Sequence, residues 1–470
     1  MRTLRLGSLA AVMVAAVAAS AAAQDDAGVR VYEEQLRVRL DQQVTGSREA
    51  GFDAGGWLNF ALFHFEDIPP SGTRNMRQYE LRGWASFDFR KVHSAYVRGR
   101  LGWESWNGGD HPVTGRECDN EQEIERAWYR FSFHELMRNQ TGEYPPYGFS
   151  VKVGRQYATI GTSLVLSMPL DMIRFDATAG DFEFMALLGQ TIHNSPNLVD
   201  NSPQVWDHQD RCFYGFELGY GGFARHRPFV YFLSQNDHTQ PEPPTPLQAF
   251  DYESSYLGVG SEGSVLLPDL HYRAEFVGQW GHTFSSGATT YRDEICAAAF
   301  DAELKYYFQT AMRPAVSFEY IYATGDGDRG TSATSTVGGN TAGSKDNAFN
   351  AFGFRDTGIA FAPEVSNLHM YALGGSLYPL ESVSGFERME VGTKLFWYHK
   401  ADKGGPISDT TATNTDAQCL GWEWDIYANW RITSDVSWTV RYGCFQPGGA
   451  FDGGDETSRH FLYTGITFSF

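Results

Sequence analysis

The stretch "GWEWDIYANWRI", Gly421–Ile432, decides the fold. Successive side chains of an extended chain point to opposite faces. Trp422, Trp424, Ile426, Ala428, Trp430 and Ile432 therefore share one side, and Glu423, Asp425, Tyr427, Asn429 and Arg431 share the other. Strands of a soluble sandwich usually run about 5–6 residues. This one is longer, and its apolar face is rich in tryptophan. That suits a wall with lipid outside and water inside. The final "HFLYTGITFSF", His460–Phe470, repeats the design: Phe470, Phe468, Ile466 and Leu462 face lipid, and Gly465 and Thr467 face the lumen.

The rest of the chain has the same cadence. Period-two segments of about 10–15 residues run from near Val29 to the end, a strand pattern. Gly counts 50 and aromatics 15%, which favours strands and turns over helices. Connections alternate. "FRKVH", "TAGDF", "LPDL", "QTAMRP" and "ITSDV" are short; Asn107–Asn120, Ile192–Asp210, Gln235–Asp251, Gly325–Pro363, Ala401–Leu420 and Pro447–Thr457 are long. Short periplasmic turns and long extracellular loops belong to an outer-membrane barrel. The expected fold is all-β: a single transmembrane antiparallel barrel of about 18 strands. Val29–Asp67 holds one strand or two. "GGWLNFALFHFED", Gly55–Asp67, reads as a strand or a folded outer loop, and the partner that closes onto the tail is expected near Glu33–Asp41.

Arg2 and Arg5, an apolar run from Leu9 and the small residues of "SAAAQ" read as a signal peptide over 1–23, cleaved after Ala23. The barrel then occupies 24–470, in the outer membrane. No later apolar run approaches the roughly 18–20 residues of a membrane helix. Cys118, Cys212, Cys296, Cys419 and Cys444 have no metal-binding spacing, and Cys419 with Cys444 is the best-placed disulfide pair. GxSxG, HExxH and Walker motifs are absent, and Ser366 and His369 of "EVSNLH" face opposite sides, so no enzyme is expected.

Parity assigns the lumen. Arg98 and Arg100 lie opposite the apolar side of their strand, as do Arg126 and Arg130, and Arg441. Arg39, Arg82, Lys152, Arg174, Arg273 and Lys394 follow the same rule. A charge facing lipid at mid-bilayer costs about 2–4 kcal/mol, so this is also the cheap assignment. Rings of basic side chains select anions, and arginine grips carboxylates bidentately. The competing reading is that these arginines pair with inward acids and brace the wall. Glu80, Asp88, Asp176, Glu183, Glu275, Asp301, Glu303, Glu319, Glu423 and Asp425 are available. Inward bases are denser early in the chain and many inward acids come after residue 270, so the lumen is expected to have a basic and an acidic wall. Arg155 shares parity with Phe149, Val151 and Val153 and needs a bulge, or a place at the rim. A net charge of -20 does not oppose an anion path, because many carboxylates sit in outer loops such as "GDGDRG" and "DGGDE". Those loops carry oxygen ligands of the kind Ca²⁺ takes, without an EF-hand spacing, and a solvated acidic turn is the plainer reading. No other cofactor and no nucleic-acid partner are expected.

Several segments resemble one family. "YGFSVKVGRQYATIG" followed by "MIRFDAT", "PEVSNLHMYALGGSLYPL" followed by "KLFWYHK", and the closing "LGWEWDIYANWRI" and "YGCFQPGGAF" resemble, in order, strands of the outer-membrane alginate export family. The resemblance covers Glu121–Phe470. It implies a monomeric 18-stranded pore that passes an acidic polysaccharide, such as a polyuronate, through a lumen narrowed by arginine and lysine. It also implies periplasmic scaffold and polymer-synthesis partners. Arg126, Arg155 and Arg441 fall where the family's strands carry arginine, and Arg355 falls near another. The alternative is a general or substrate-selective porin for small solutes.

Overall fold

The alternation read in Gly421–Ile432 continues around a closed sheet. The computed structural model describes residues 50–66, 72–111, 115–192, 210–238, 252–284, 292–329, 333, 340–341, 343–409, 412, 416–451 and 457–470. Eighteen antiparallel strands pair in chain order, and the first closes on the last. They are β1 (Ala50–Glu66), β2 (Thr73–Phe89), β3 (His93–Trp106), β4 (Cys118–Ser132), β5 (Tyr147–Ile160) and β6 (Leu166–Ala179). Next come β7 (Phe182–Thr191), β8 (Arg211–Tyr220), β9 (His226–Asp237), β10 (Glu253–Ser264), β11 (Leu270–Phe284) and β12 (Arg292–Tyr307). The last six are β13 (Ala315–Ala323), β14 (Leu368–Leu377), β15 (Met389–His399), β16 (Cys419–Arg431), β17 (Val436–Pro447) and β18 (Arg459–Ser469). Closure leaves no open edge for lipid to meet.

The tail's partner differs from the expectation. β18 pairs with β1, from Trp57 opposite Ser469 to Glu66 opposite His460. "GGWLNFALFHFED" is therefore a wall strand. Residues 1–49 lie outside the described residues, and with them the signal peptide, Arg39 and Glu33–Asp41. On β18, Leu462, Ile466 and Phe468 are exposed on the outer surface, while Phe461 and Tyr463 are buried inside. On β16, Trp422 and Trp424 face out and Glu423 and Asp425 are buried.

The turn after β6 is two residues and the one after β2 is three, which marks that rim as periplasmic. One periplasmic connection carries a helix, α1 (Phe133–Thr141), which the alternation did not foretell. Ser132 caps it by accepting from the Glu135 amide, and Gly142 ends it at φ 81°. Among the described residues no helix is long and apolar enough to cross a membrane.

Two connections turn into the lumen, and one of them, within Gly325–Pro363, was expected to be an ordinary outer loop. The tip joining β5 and β6 leaves the wall: β4–β5 pairing stops at Ala127 opposite Arg155, and β6–β7 pairing reaches only Leu170 opposite Thr191. The Gly161 and Thr162 amides donate across the barrel to Glu217 on β8 (2.9 Å) and Glu275 on β11 (2.6 Å). The second is the described part of the long β13–β14 connection. Phe352 bridges to Leu166, and Phe349 and Phe361 are fully buried. Each buried aromatic contributes about 1.5–3 kcal/mol, so this is core, not solvated loop. Gly353 permits the contact, because any Cβ there would strike the Leu164 carbonyl.

Candidate functional site

The charged side chains of the lumen fall into two groups by depth. Toward the outer half they are sealed. Arg82, Arg98, Arg100 and Arg126 are between 2% and 8% exposed. Three of them stand in a ladder of alternating charge. Arg98 Nε lies 2.8 Å from Glu125, whose other oxygen takes Arg82 Nε at 3.1 Å. Arg82 then pairs with Glu80 (2.8 Å), Glu80 with Arg100 (2.7 Å), and Arg100 with Glu121 (3.0 Å). Glu125 was missed by parity. Register shifts between Arg98 and Gly99, whose partners are Arg126 and Ile124, so Glu125 is the extra residue of a bulge and turns inward beside Arg126. Arg126 sits over the Tyr157 ring at 4.8 Å, at the seam where β4 and β5 part. The expected basic wall therefore carries its own acids.

The inward segments are held by the same chemistry. Glu423 accepts from three consecutive amides, Ile359 (2.6 Å), Ala360 (2.7 Å) and Phe361 (2.9 Å), so this lumen acid is an anchor for the long connection. Gly358, at φ 110°, leaves the space this clasp needs. Arg355 is also buried. Its Nε donates to Asp301 at 2.7 Å and its Nη2 to the Thr162 hydroxyl, tying both inward segments to the wall. The parity reading had no signal for these contacts. The sequence did hold one: phenylalanines at 349, 352, 354 and 361 are out of place in a solvated loop.

Toward the periplasm the cations are half-buried and line open space. Arg130, Lys152 and Arg174 stand at register-matched positions on β4, β5 and β6. Lys152 lies 4.0 Å from the centre of the Trp128 ring, and Arg174 pairs with Asp176 at 2.8 Å. Across the lumen stand Arg273, Lys305, Lys394 and Arg441, also half-buried. Arg273 reaches Glu319 (2.6 Å), and Lys394 reaches Glu319 (3.2 Å) and Asp356 (3.3 Å). Lys305, Lys394, Arg441, Asp356, Asp425 and Tyr427 are among the residues lining a cavity of about 240 Å³ under the long inward segment. Glu303, Glu319, Asp356 and Asp425 stand among these cations, so this wall too carries both signs of charge.

Arg155 is on the other side of the sheet. It shares the outward face with Val153, and its register partners Ala127 and Asp171 face out too. A bidentate pair with Asp171 (2.9 and 3.1 Å) and a bond from Nη1 to the Ile124 carbonyl (2.9 Å) hold it. It caps the β4 edge where the hairpin peels away, and it does not line the lumen. The expected disulfide is also absent: all five cysteines are free, and Cys444 faces Trp424 while Cys419 faces His399. Among the described residues no group of three or more His, Cys, Asp or Glu side chains is placed to hold a metal. Asp326 instead accepts from the Asp328 (2.8 Å) and Asn347 (2.7 Å) amides, and the "DGGDE" loop lies outside the described residues.

The barrel is similar to solved outer-membrane channels of Pseudomonas aeruginosa. OccK8 (OprE) superposes with a TM-score of 0.54 at 10% identity, covering 89% of this chain and 98% of that one. OpdK does so with 0.54 at 8% identity, covering 89% and 100%. OpdK solved with vanillate gives 0.53 at 9% identity, with the same coverage of 89% and 100%. At such identity the likeness is one of fold. No curated protein matches the sequence. The alginate export family model matches residues 108–464, most of the chain, including the β4–β6 strands and the Glu423 strand. The chain is an outer-membrane pore protein and belongs to the alginate export family.

Proposed function

We propose that the barrel exports an acidic polysaccharide, of the polyuronate kind, from the periplasm. The observation that carries this is the set of half-buried cations in the periplasmic half: Arg130, Lys152, Arg174, Arg273, Lys305, Lys394 and Arg441. An exported anionic chain meets that half first. Several of these cations have a carboxylate beside them, as Arg174 has Asp176 and Lys394 has Glu319, so binding is weak and repeated, which lets a polymer advance. Arg82, Arg98, Arg100, Arg126 and Arg355 brace the narrower part and shape it. One chain closes the barrel, so a monomer is a complete conduit; scaffold and synthesis proteins would meet it at the periplasmic rim. The pathway calls for no cofactor and no chemistry on the cargo.

One observation favours a second reading. The two inward segments fill much of the lumen's middle with Phe349, Phe352, Phe361 and Leu166, which suits a selective porin for small acidic solutes. Deleting the gene separates the two. Loss of secreted acidic polymer supports export; unchanged polymer with impaired uptake of a small carboxylate supports the porin.

A further inference from the structure

We propose that the turn between β2 and β3, on the outside of the periplasmic rim, holds the phosphate of an anionic phospholipid in the leaflet that faces the periplasm. The site lies away from the lumen and does not depend on what the barrel carries.

The tip of the turn is Arg90 and Lys91, and its backbone is strained. Arg90 has φ 53° and Lys91 φ 59°. Side chains other than glycine and asparagine rarely adopt this left-handed region. Two such residues in succession have the φ pattern of a type I′ turn, for which Asn-Gly is a favoured pair. The Val92 amide closes the turn by donating to the Phe89 carbonyl at 3.1 Å, and Asn139 of α1 donates to the Arg90 carbonyl at 2.8 Å. The chain thus keeps two exposed cations where a neutral pair would relax the backbone.

A second turn shows what such cations need. Met312 and Arg313, between β12 and β13, lie at φ 64° and 43°. There the protein supplies the partner. Glu381 accepts from the Met312 amide at 2.8 Å and pairs with Arg313 Nε at 3.0 Å, and the guanidinium stands 4.1 Å from the centre of the Tyr378 ring. The Lys91 ammonium has no hydrogen-bond or ion-pair partner among the described residues.

The surroundings set the depth. Phe87 and Phe89 on β2 and Tyr129 on β4 are exposed on the lipid side. Phe89, His93, Phe131, Phe149 and Phe133 follow one another with ring centres 4.9–6.4 Å apart. Such a row marks the girdle where hydrocarbon gives way to headgroups. Arg90 and Lys91 lie just past it, with the Arg90 guanidinium 5.4 Å from the centre of the Phe89 ring. Phosphate is the anion at that depth. Arginine grips it bidentately and lysine adds a point charge, and cations at a membrane surface are drawn to anionic lipid.

Thermal melting of the purified barrel in nanodiscs tests this, with discs of phosphatidylcholine alone or of equal parts phosphatidylcholine and phosphatidylglycerol. The wild type should melt about 2–4 °C higher in the mixed discs. Arg90→Asn/Lys91→Gly relaxes the turn and removes the charge. It should melt at or above the wild type in phosphatidylcholine and lose most of the rise in the mixed discs. Arg90→Gln/Lys91→Gln, which removes the charge alone, should also lose the rise. Arg388→Ala, which removes a cation from the β14–β15 connection, should keep it. Soluble glycerol 3-phosphate should not raise the melting temperature of the wild type in phosphatidylcholine. A wild type without the rise, double variants that keep it, or a rise lost equally in Arg388→Ala would overturn the site. So would an Arg90→Asn/Lys91→Gly variant that melts below the wild type in phosphatidylcholine. A rise reproduced by glycerol 3-phosphate would overturn the lipid as the occupant.

Discussion

The two halves of the lumen use the same residue types for different ends. In the middle and outer half, arginines are buried and each ion pair shares a residue with the next, as in Arg98–Glu125–Arg82–Glu80–Arg100. In the periplasmic half, Arg130, Lys152 and Arg174 are half-buried beside open space. Identity does not separate these groups; exposure does. A buried charge with a partner is part of the wall, because breaking the pair strands the other charge. A half-exposed charge is only loosely held by its neighbours, since such pairs contribute little. An inward-pointing arginine is thus a contact for cargo only where water reaches it.

Substitutions that confuse the two halves break this comparison. Glu423→Ala has the largest expected effect. It strands the Ile359, Ala360 and Phe361 amides, at about 1–3 kcal/mol for each buried donor left unmet. The inward segment should detach, and single-channel conductance should rise severalfold. Arg82→Ala comes next. Losing its bonds to Glu80 and Glu125 should cost about 3–5 kcal/mol, read as a lower urea midpoint, with the anion preference of surviving channels little altered. Arg155→Ala should cost about 1–2 kcal/mol, less than the about 2–4 kcal/mol of a basic residue stranded at the midplane. It should leave selectivity alone, and replacing Asp171 by leucine as well should restore much of the loss. Arg130→Ala with Arg174→Ala should change stability by no more than about 1 kcal/mol. That pair should nevertheless reduce anion preference more than any change in the ladder.

Much of the wall was legible because one face of each strand had to meet lipid. Leu462, Ile466 and Phe468, or Trp422 and Trp424, fixed parity, and the opposite residues followed into the lumen. Arg82, Arg98, Arg100, Arg130, Arg174 and Arg441 are on the expected face for that reason. Parity fails where the backbone slips: Glu125 enters through a bulge that alternation cannot show. It also fails where a strand leaves the wall. In "ATIGTSLVLSMPL" the alternation persists, but its apolar parity, Ala158, Ile160, Leu164, Leu166, Met168 and Leu170, is buried inside the barrel and not turned to lipid, because the hairpin tip packs inside. Depth was the other missing quantity. Which arginines are sealed depends on segments distant in sequence, such as Thr162 and Asp301 meeting at Arg355, and no local pattern carries that.

The most direct measurement is the reversal potential across a salt gradient for the wild type, the triple variant Arg130→Ala/Lys152→Ala/Arg174→Ala, and Arg98→Gln. The wild type should prefer anions, the triple variant should lose most of that preference, and channels that form from Arg98→Gln should keep it. A triple variant as anion-selective as the wild type, with the preference lost instead in Arg98→Gln, would place the anion path on the buried ladder and contradict the account.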